Sequence, residues 1–303
     1  MAVCSLWHCP AGHPGLVLPT TLPCGARTFL GGMREHPDAT ARPTRPPYGQ
    51  NTRMQSTEAV LLGAAGMVAG AVNAIAGGGS LLLFPALVAS GYGTLPANVT
   101  NSVALWPGYV GGVLGFREEL RGQRGRLAGL VLTAVAGAAA GCVLLLSTPD
   151  SAFDAVVPFL VLAASLLLAL QPRVSRLVGE PRHGANRKVL YPAVALGAVY
   201  GGYFGGALGV ILLGVLALTV PDTLRRLNGL KGLLSLVVAS VTVVAFGLFG
   251  PVDWVAVAIL APLTLLGGFL GARLARRLDD RVLRPAVVVF GVVVAVLLFL
   301  RNR

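Results

Sequence analysis

The sequence predicts an all-α integral membrane protein of two inverted repeats, each a broken or re-entrant helix hairpin followed by three transmembrane helices. Hydrophobic residues make up 55% of the chain and charged residues only 12%, against roughly 25% charged residues in a soluble domain. From Ala59 onward, apolar runs alternate with short polar breaks. Two of those runs are too long for one crossing and too short for two, and glycine clusters interrupt both.

Five runs have ordinary spanning length, about 97–116, 127–147, 153–171, 228–249 and 254–272, and a sixth covers about 285–300. One helical crossing takes about 20 residues. The other two runs, Ala59–Ser90 and Val189–Val220, hold 32 residues each. A straight helix of that length would measure about 48 Å, against a hydrocarbon core of about 30 Å. Gly77-Gly78-Gly79 breaks the first run at its middle, and Gly205-Gly206 with Gly209 breaks the second. Lipid cannot satisfy the backbone groups that such a break exposes, so it must be buried in protein or line a wet cavity. These two breaks therefore mark a site. Gly66/Gly70, Gly108/Gly112 and Gly267/Gly271 read instead as close-packing positions between helices.

Residues 1–53 have a different composition, with eight prolines, three of the four cysteines and three of the four histidines. They hold no spanning segment and no basic stretch before an apolar core. They are expected to be a disordered leader, upstream of a true start at Met54. Cys4, His8, Cys9 and His13 fit no standard zinc spacing, and neither a metal nor a cofactor is expected. The net charge of +12 is spread over short clusters between apolar runs rather than along one basic face. That distribution argues against a nucleic-acid partner and for cytoplasmic loops beside a lipid bilayer.

The two broken runs align with each other. Gly66-x3-Gly70 followed by Gly78 parallels Gly197-x3-Gly201 followed by Gly209, an offset of 131. Asn98-Val-Thr-Asn101 parallels Asn228-Gly-Leu-Lys231, an offset of 130. The chain thus divides into a first membrane repeat at 54–171, a basic loop at 172–188 and a second repeat at 189–303. The 117–126, 172–188 and 273–284 loops each carry four or five basic residues, whereas 148–152 and 250–253 carry Asp150 and Asp253 and none. Basic loops face the cytoplasm, which fixes a consistent path. Each hairpin is followed by three crossings, an odd number, so the second repeat is upside down relative to the first. Duplication of this kind is a common transporter design.

The segments "GMVAGAVNAIAGGGSLLLFPAL" at 66–87 and "LPANVTNSVALWPGYVGG" at 95–112 resemble the first half of the sulfite exporter TauE/SafE family of membrane transporters. "GAVYGGYFGGALGVILLGVLAL" at 197–218 and "RLNGLKGLLSLVVASV" at 226–241 resemble its second half. The resemblance covers about residues 59–300. It implies a multi-pass protein of the plasma membrane that exports sulfite, sulfonates or related organic anions.

The residues can support binding of a small anionic solute. A half-helix that starts inside the membrane presents bare N–H groups and its positive dipole end. Gly77, Gly78, Gly79 and Ser80 stand at one such start, and Gly205, Gly206 and Gly209 at the equivalent one. Asn98, Thr100 and Asn101 open the next crossing of the first repeat, and Asn228 and Lys231 match them in the second. Amides donate to an oxyanion without a full charge, and Lys231 adds a cation unless it snorkels to the cytoplasmic interface. Asn73 either bonds the broken backbone or contacts the solute. Trp106 and Trp254 read as interface anchors.

No catalytic residue is expected. Ser80 would need a base; His183 lies in a loop, and Lys231 would serve only if it were adjacent. No acidic residue lies in the middle of an apolar run, which disfavours a proton antiporter built on a buried carboxylate. No Walker lysine follows the glycine run. A membrane-embedded enzyme and a non-transporting membrane subunit are the alternative classes.

Overall fold

The computed structural model describes residues 56–115, 117, 118, 120, 124–176, 187–274 and 280–301. The leader at 1–53, most of the 172–188 loop and His183 lie outside the described residues. Ten helices occur among the described residues. The first half contributes α1 (Ser56–Ala76), α2 (Ser80–Ala89), α3 (Thr94–Gly115), α4 (Arg124–Leu146) and α5 (Asp150–Arg176). The second contributes α6 (Arg187–Tyr203), α7 (Leu208–Thr219), α8 (Leu224–Phe249), α9 (Trp254–Leu274) and α10 (Asp280–Arg301). Five of them contain stretches long and apolar enough to cross a membrane: Ala59–Ala76, Leu127–Leu146, Asp150–Gln171, Leu224–Phe249 and Trp254–Arg273.

Both long runs are broken where their glycines cluster, the second at the middle of its run and the first a few residues past the middle. The arms are unequal, with 21 and 10 residues in α1 and α2 and 17 and 12 in α6 and α7. Nothing before Ala76 interrupts the i→i+4 ladder, so the first arm runs on until the glycines end it. The short arms, at about 1.5 Å per residue, reach about 15 and 18 Å, roughly half a hydrocarbon core.

Small residues decide which helices touch. Gly63 faces Leu263, Gly267 faces Met67 and Gly271 faces Ala71, so α1 and α9 lie side by side and run the same way. Gly129 faces Tyr191, Gly137 faces Ala195 and Gly141 faces Val199, so α4 and α6 do likewise. Where lipid surrounds a bundle, such backbone approach supplies the packing that the hydrophobic effect cannot. In both cases the fourth helix of one half supports the first helix of the other. The pairings α1–α2 and α2–α3 recur as α6–α7 and α7–α8, while α3 meets α8 and α5 meets α10.

Polar side chains fasten the connections. The Tyr92 hydroxyl donates to Asp253 at 2.7 Å, and the Thr94 hydroxyl donates to Asp154. Asp253 also accepts from Val255 and Ala256 N–H at 2.9 and 3.0 Å, which satisfies orphan donors of the first turn of α9. The turn after α2 is thereby held at the end of the bundle where α8 gives way to α9. The turn after α7 lies at the other end of α8, a helix of 26 residues.

Candidate functional site

Gly77 and Gly205 are both left-handed, with φ of 77° and 75°, a region that glycine enters without steric penalty. Backbone conformation therefore pairs Gly77 with Gly205, not Gly78 with Gly209 as the sequence repeat suggests. The break follows Gly70 by seven residues but Gly201 by only four. The first arm is about one turn longer beyond its packing glycines, and the alignment slips by that turn.

Gly209 lies in the first turn of α7 and meets Gly77 across the two halves. A Cβ on Gly77 would stand 2.7 Å from Gly209 Cα, and one on Gly209 would stand 2.8 Å from Gly77 Cα. Only glycine at both positions allows this backbone contact. Beside it lies a small cavity of about 20 Å³, lined by Asn73, Gly77, Tyr109, Gly209, Asn228, Lys231 and Ser235 among others. Gly108, Gly112 and Gly232 also line it; a Cβ would meet Thr264 of α9 at Gly108, Ala74 of α1 at Gly112 and Val113 of α3 at Gly232.

Lys231 is 5% exposed, and its stem passes Gly209, with Cδ 3.5 Å from where a Cβ would stand. That places it inside the protein, whereas Arg225 is exposed. Among the described residues lining the cavity, Lys231 is the charged one. The Asn228 amide donates to the Leu224 carbonyl at 3.0 Å, and the Tyr109 hydroxyl interacts with Asn73. Gly209 lines the cavity from the first turn of α7, so the positive end of that helix lies close to it. The arrangement offers one cation, neutral amide and hydroxyl groups, and a helix N-terminus around one small space.

Of the residues expected from sequence, Asn73, Gly77, Gly209, Asn228 and Lys231 line this cavity. The others lie elsewhere. Gly78 packs against Leu168, and Gly79 packs against Ala69 and Asn73. Ser80 is buried as the first residue of α2, outside the cavity that holds Lys231. Asn98 donates to the Tyr203 carbonyl at 3.1 Å, Thr100 accepts from the Asp253 N–H at 3.1 Å, and Asn101 is buried. Gly205 shapes the second break, and the Gly206 carbonyl accepts from the Tyr200 hydroxyl at 2.8 Å. Tyr109 and Ser235 were not expected. Ser235 had a signal: four residues after Lys231, it shares that residue's helix face. Trp106 does more than anchor an interface, since its indole donates to Ser240 at 2.9 Å and joins α3 to α8.

The family model described as "Sulfite exporter TauE/SafE" matches residues 62–298. The chain belongs to this family. It is similar to the probable membrane transporter protein YfcA of Escherichia coli K12, 27% identical over 236 residues, which covers 76% of this chain and 85% of that protein. It is 26% identical over 238 residues to the probable membrane transporter protein ORF9 of a Sinorhizobium species, covering 77% and 88%. It is 25% identical over 229 residues to a probable membrane transporter protein of Haemophilus influenzae, covering 75% and 88%. No solved structure matches it. This TauE/SafE protein is a multi-pass membrane transporter.

Proposed function

We propose that this transporter carries small anions such as sulfite, sulfonates or related organic anions out of the cell, as a secondary transporter of the plasma membrane built from two inverted repeats. One observation carries the reading: the backbones of Gly77 and Gly209 touch at the wall of a cavity that also holds the buried Lys231. An anion entering a low-dielectric interior loses its hydration and needs compensating charge and donors. Lys231 supplies the charge, Asn228, Asn73, Tyr109 and Ser235 supply polar groups, and the start of α7 supplies a positive dipole end.

The recurring helix pairings support a two-fold relation between the halves, and the loop charges support opposite orientations for them. On that orientation the cavity lies between the end of α3 and the beginning of α8, toward the cytoplasm. The test uses the purified full chain in liposomes loaded with sulfite. Saturable sulfite efflux, competed by a sulfonate, is the expected result. A rise in apparent stability on adding the carried anion should accompany it, because a ligand that binds only the folded state stabilises it. Flux no greater than in protein-free liposomes, with no stabilisation by sulfite, sulfonates or carboxylates, would sink the anion assignment.

A further inference from the structure

The cavity has a mirror position in the other half, and there it is shut. At the repeat offset, Asn228, Lys231 and Ser235 on α8 correspond to Asn98, Asn101 and Leu105 on α3. The walls that face them, Tyr109 and Gly112 on α3, correspond to Ala239 and Thr242 on α8. All five mirror residues are buried. Asn101 is 1% exposed, and neither its amide oxygen nor its amide nitrogen has a hydrogen-bond partner. The Asn98 oxygen is also without one, although its nitrogen bonds Tyr203. Buried amides are nearly always paired, so an amide with both ends bare asks for a partner absent from this state. It stands where Lys231 stands in the other half, on the helix that faces Lys231.

We propose that Asn101 is an anion ligand of the opposite access state, in which α3 and α8 part on the Asn98–Asn101 side while the Lys231 cavity closes. This inference rests on the anion-transport reading and deepens it: the state described here is the cytoplasm-facing one of two. Two packings related by the pseudo-symmetry of the halves make such an exchange accessible. The halves are chemically unequal, because a cation faces the anion on one side and a neutral amide on the other. That inequality does not choose the direction of net flux, which follows the gradients. It does make the half-saturation constant lower from the Lys231 side than from the Asn101 side.

The test is sided labelling of the full chain in sealed, oriented vesicles, with Cys4, Cys9, Cys24 and Cys142 replaced by serine or alanine. Val113→Cys reports on the open cavity, whose wall Val113 forms. Asn101→Cys reports on the shut face, and Thr242→Cys reports on the same face from α8 should the first variant fold poorly. A membrane-impermeant thiol reagent should reach Val113→Cys from the basic-loop face and the other two from the opposite face. Prior attachment of a bulky reagent at Val113→Cys should hold the cavity open and slow labelling at Asn101→Cys by about tenfold or more. If Asn101→Cys and Thr242→Cys both stay unlabelled in folded protein, or react from the Val113→Cys face, the inference is overturned. Sulfite flux measured alongside separates the two ideas. Reciprocal labelling without flux overturns only the substrate class, whereas flux with neither mirror position labelled overturns only the alternating face.

Discussion

The two hairpin breaks share a left-handed glycine whose N–H returns to the carbonyl five residues back, Gly77 to Val72 and Gly205 to Tyr200, each at 3.2 Å, and they differ in their surroundings. In the second, side chains tie down the freed backbone. The Tyr203 carbonyl accepts from Asn98, the Gly206 carbonyl accepts from the Tyr200 hydroxyl, and Phe204 packs edge-on against Phe84 and Tyr200. In the first, the glycines pack closely, Gly78 against Leu168 and Gly79 against Ala69 and Asn73. Gly77 meets Gly209 and the cavity. Both breaks reach the cavity, the first through Gly77 itself and the second through Gly209 in the first turn of α7, but the loop of the second is also tied down by side chains. The two hairpins need not share the work equally.

The sharpest way to break that comparison is to place the same methyl group in both. Left-handed backbone costs a non-glycine residue about 1–2 kcal/mol, and that penalty applies equally to Gly77→Ala and Gly205→Ala. Space does not. The Cβ at 77 would collide with Gly209 Cα at 2.7 Å, while at 205 its nearest neighbour is the Gly201 carbonyl at 3.2 Å. Gly77→Ala should therefore abolish most sulfite flux, about 100-fold or more, because near-rigid packing cannot absorb a backbone overlap. Gly205→Ala should lower the melting temperature yet keep flux within about tenfold, its cost being mainly the 1–2 kcal/mol of φ strain. Equal losses of flux in proteoliposomes would mean that both breaks serve the ligand.

The next largest effect should come from the cation. A hydrogen bond to a charged group contributes about 1.5–3 kcal/mol, which corresponds to about 10–150-fold in affinity. Lys231→Gln should raise the half-saturation constant for sulfite by about that factor. Lys231→Arg should recover part of the loss, since it restores charge but not shape. A half-saturation constant unchanged in Lys231→Gln would remove the lysine from the site and leave only the helix end and neutral donors.

Much of this was legible in the sequence because spanning length and glycine clustering are local signals. The five ordinary runs and the sixth all appear as helices within a few residues of their expected bounds, and both breaks fall in their glycine clusters. The unequal arms were not legible, because hydropathy measures the run and not where along it the ladder stops. Gly77 facing Gly209 is a contact between halves, which no local pattern encodes. Thr100 lies outside the cavity. A polar residue near a crossing's start looked like a ligand, but its hydroxyl accepts from the Asp253 N–H and anchors a connection. Lys231 and Ser235 lie one turn apart on one helix face, and both line the cavity.

The smallest effect tests whether the loop of the second break is only scaffold. Tyr200→Phe keeps the ring that packs on Phe204 and deletes the hydroxyl that reaches the Gly206 carbonyl. A typical intramolecular hydrogen bond contributes about 0.5–1.5 kcal/mol, rising to about 3 kcal/mol when the abandoned group stays buried. The variant should melt at a slightly lower temperature, while its half-saturation constant for sulfite stays within about twofold of the parent, because a lost scaffold bond touches no ligand. The stability term and the binding term then separate cleanly, since Tyr200 does not line the cavity. A shift in the half-saturation constant comparable to that of Lys231→Gln would place the Gly206 carbonyl and its neighbours in the transport path, and would make the two breaks alike in function despite their different chemistry.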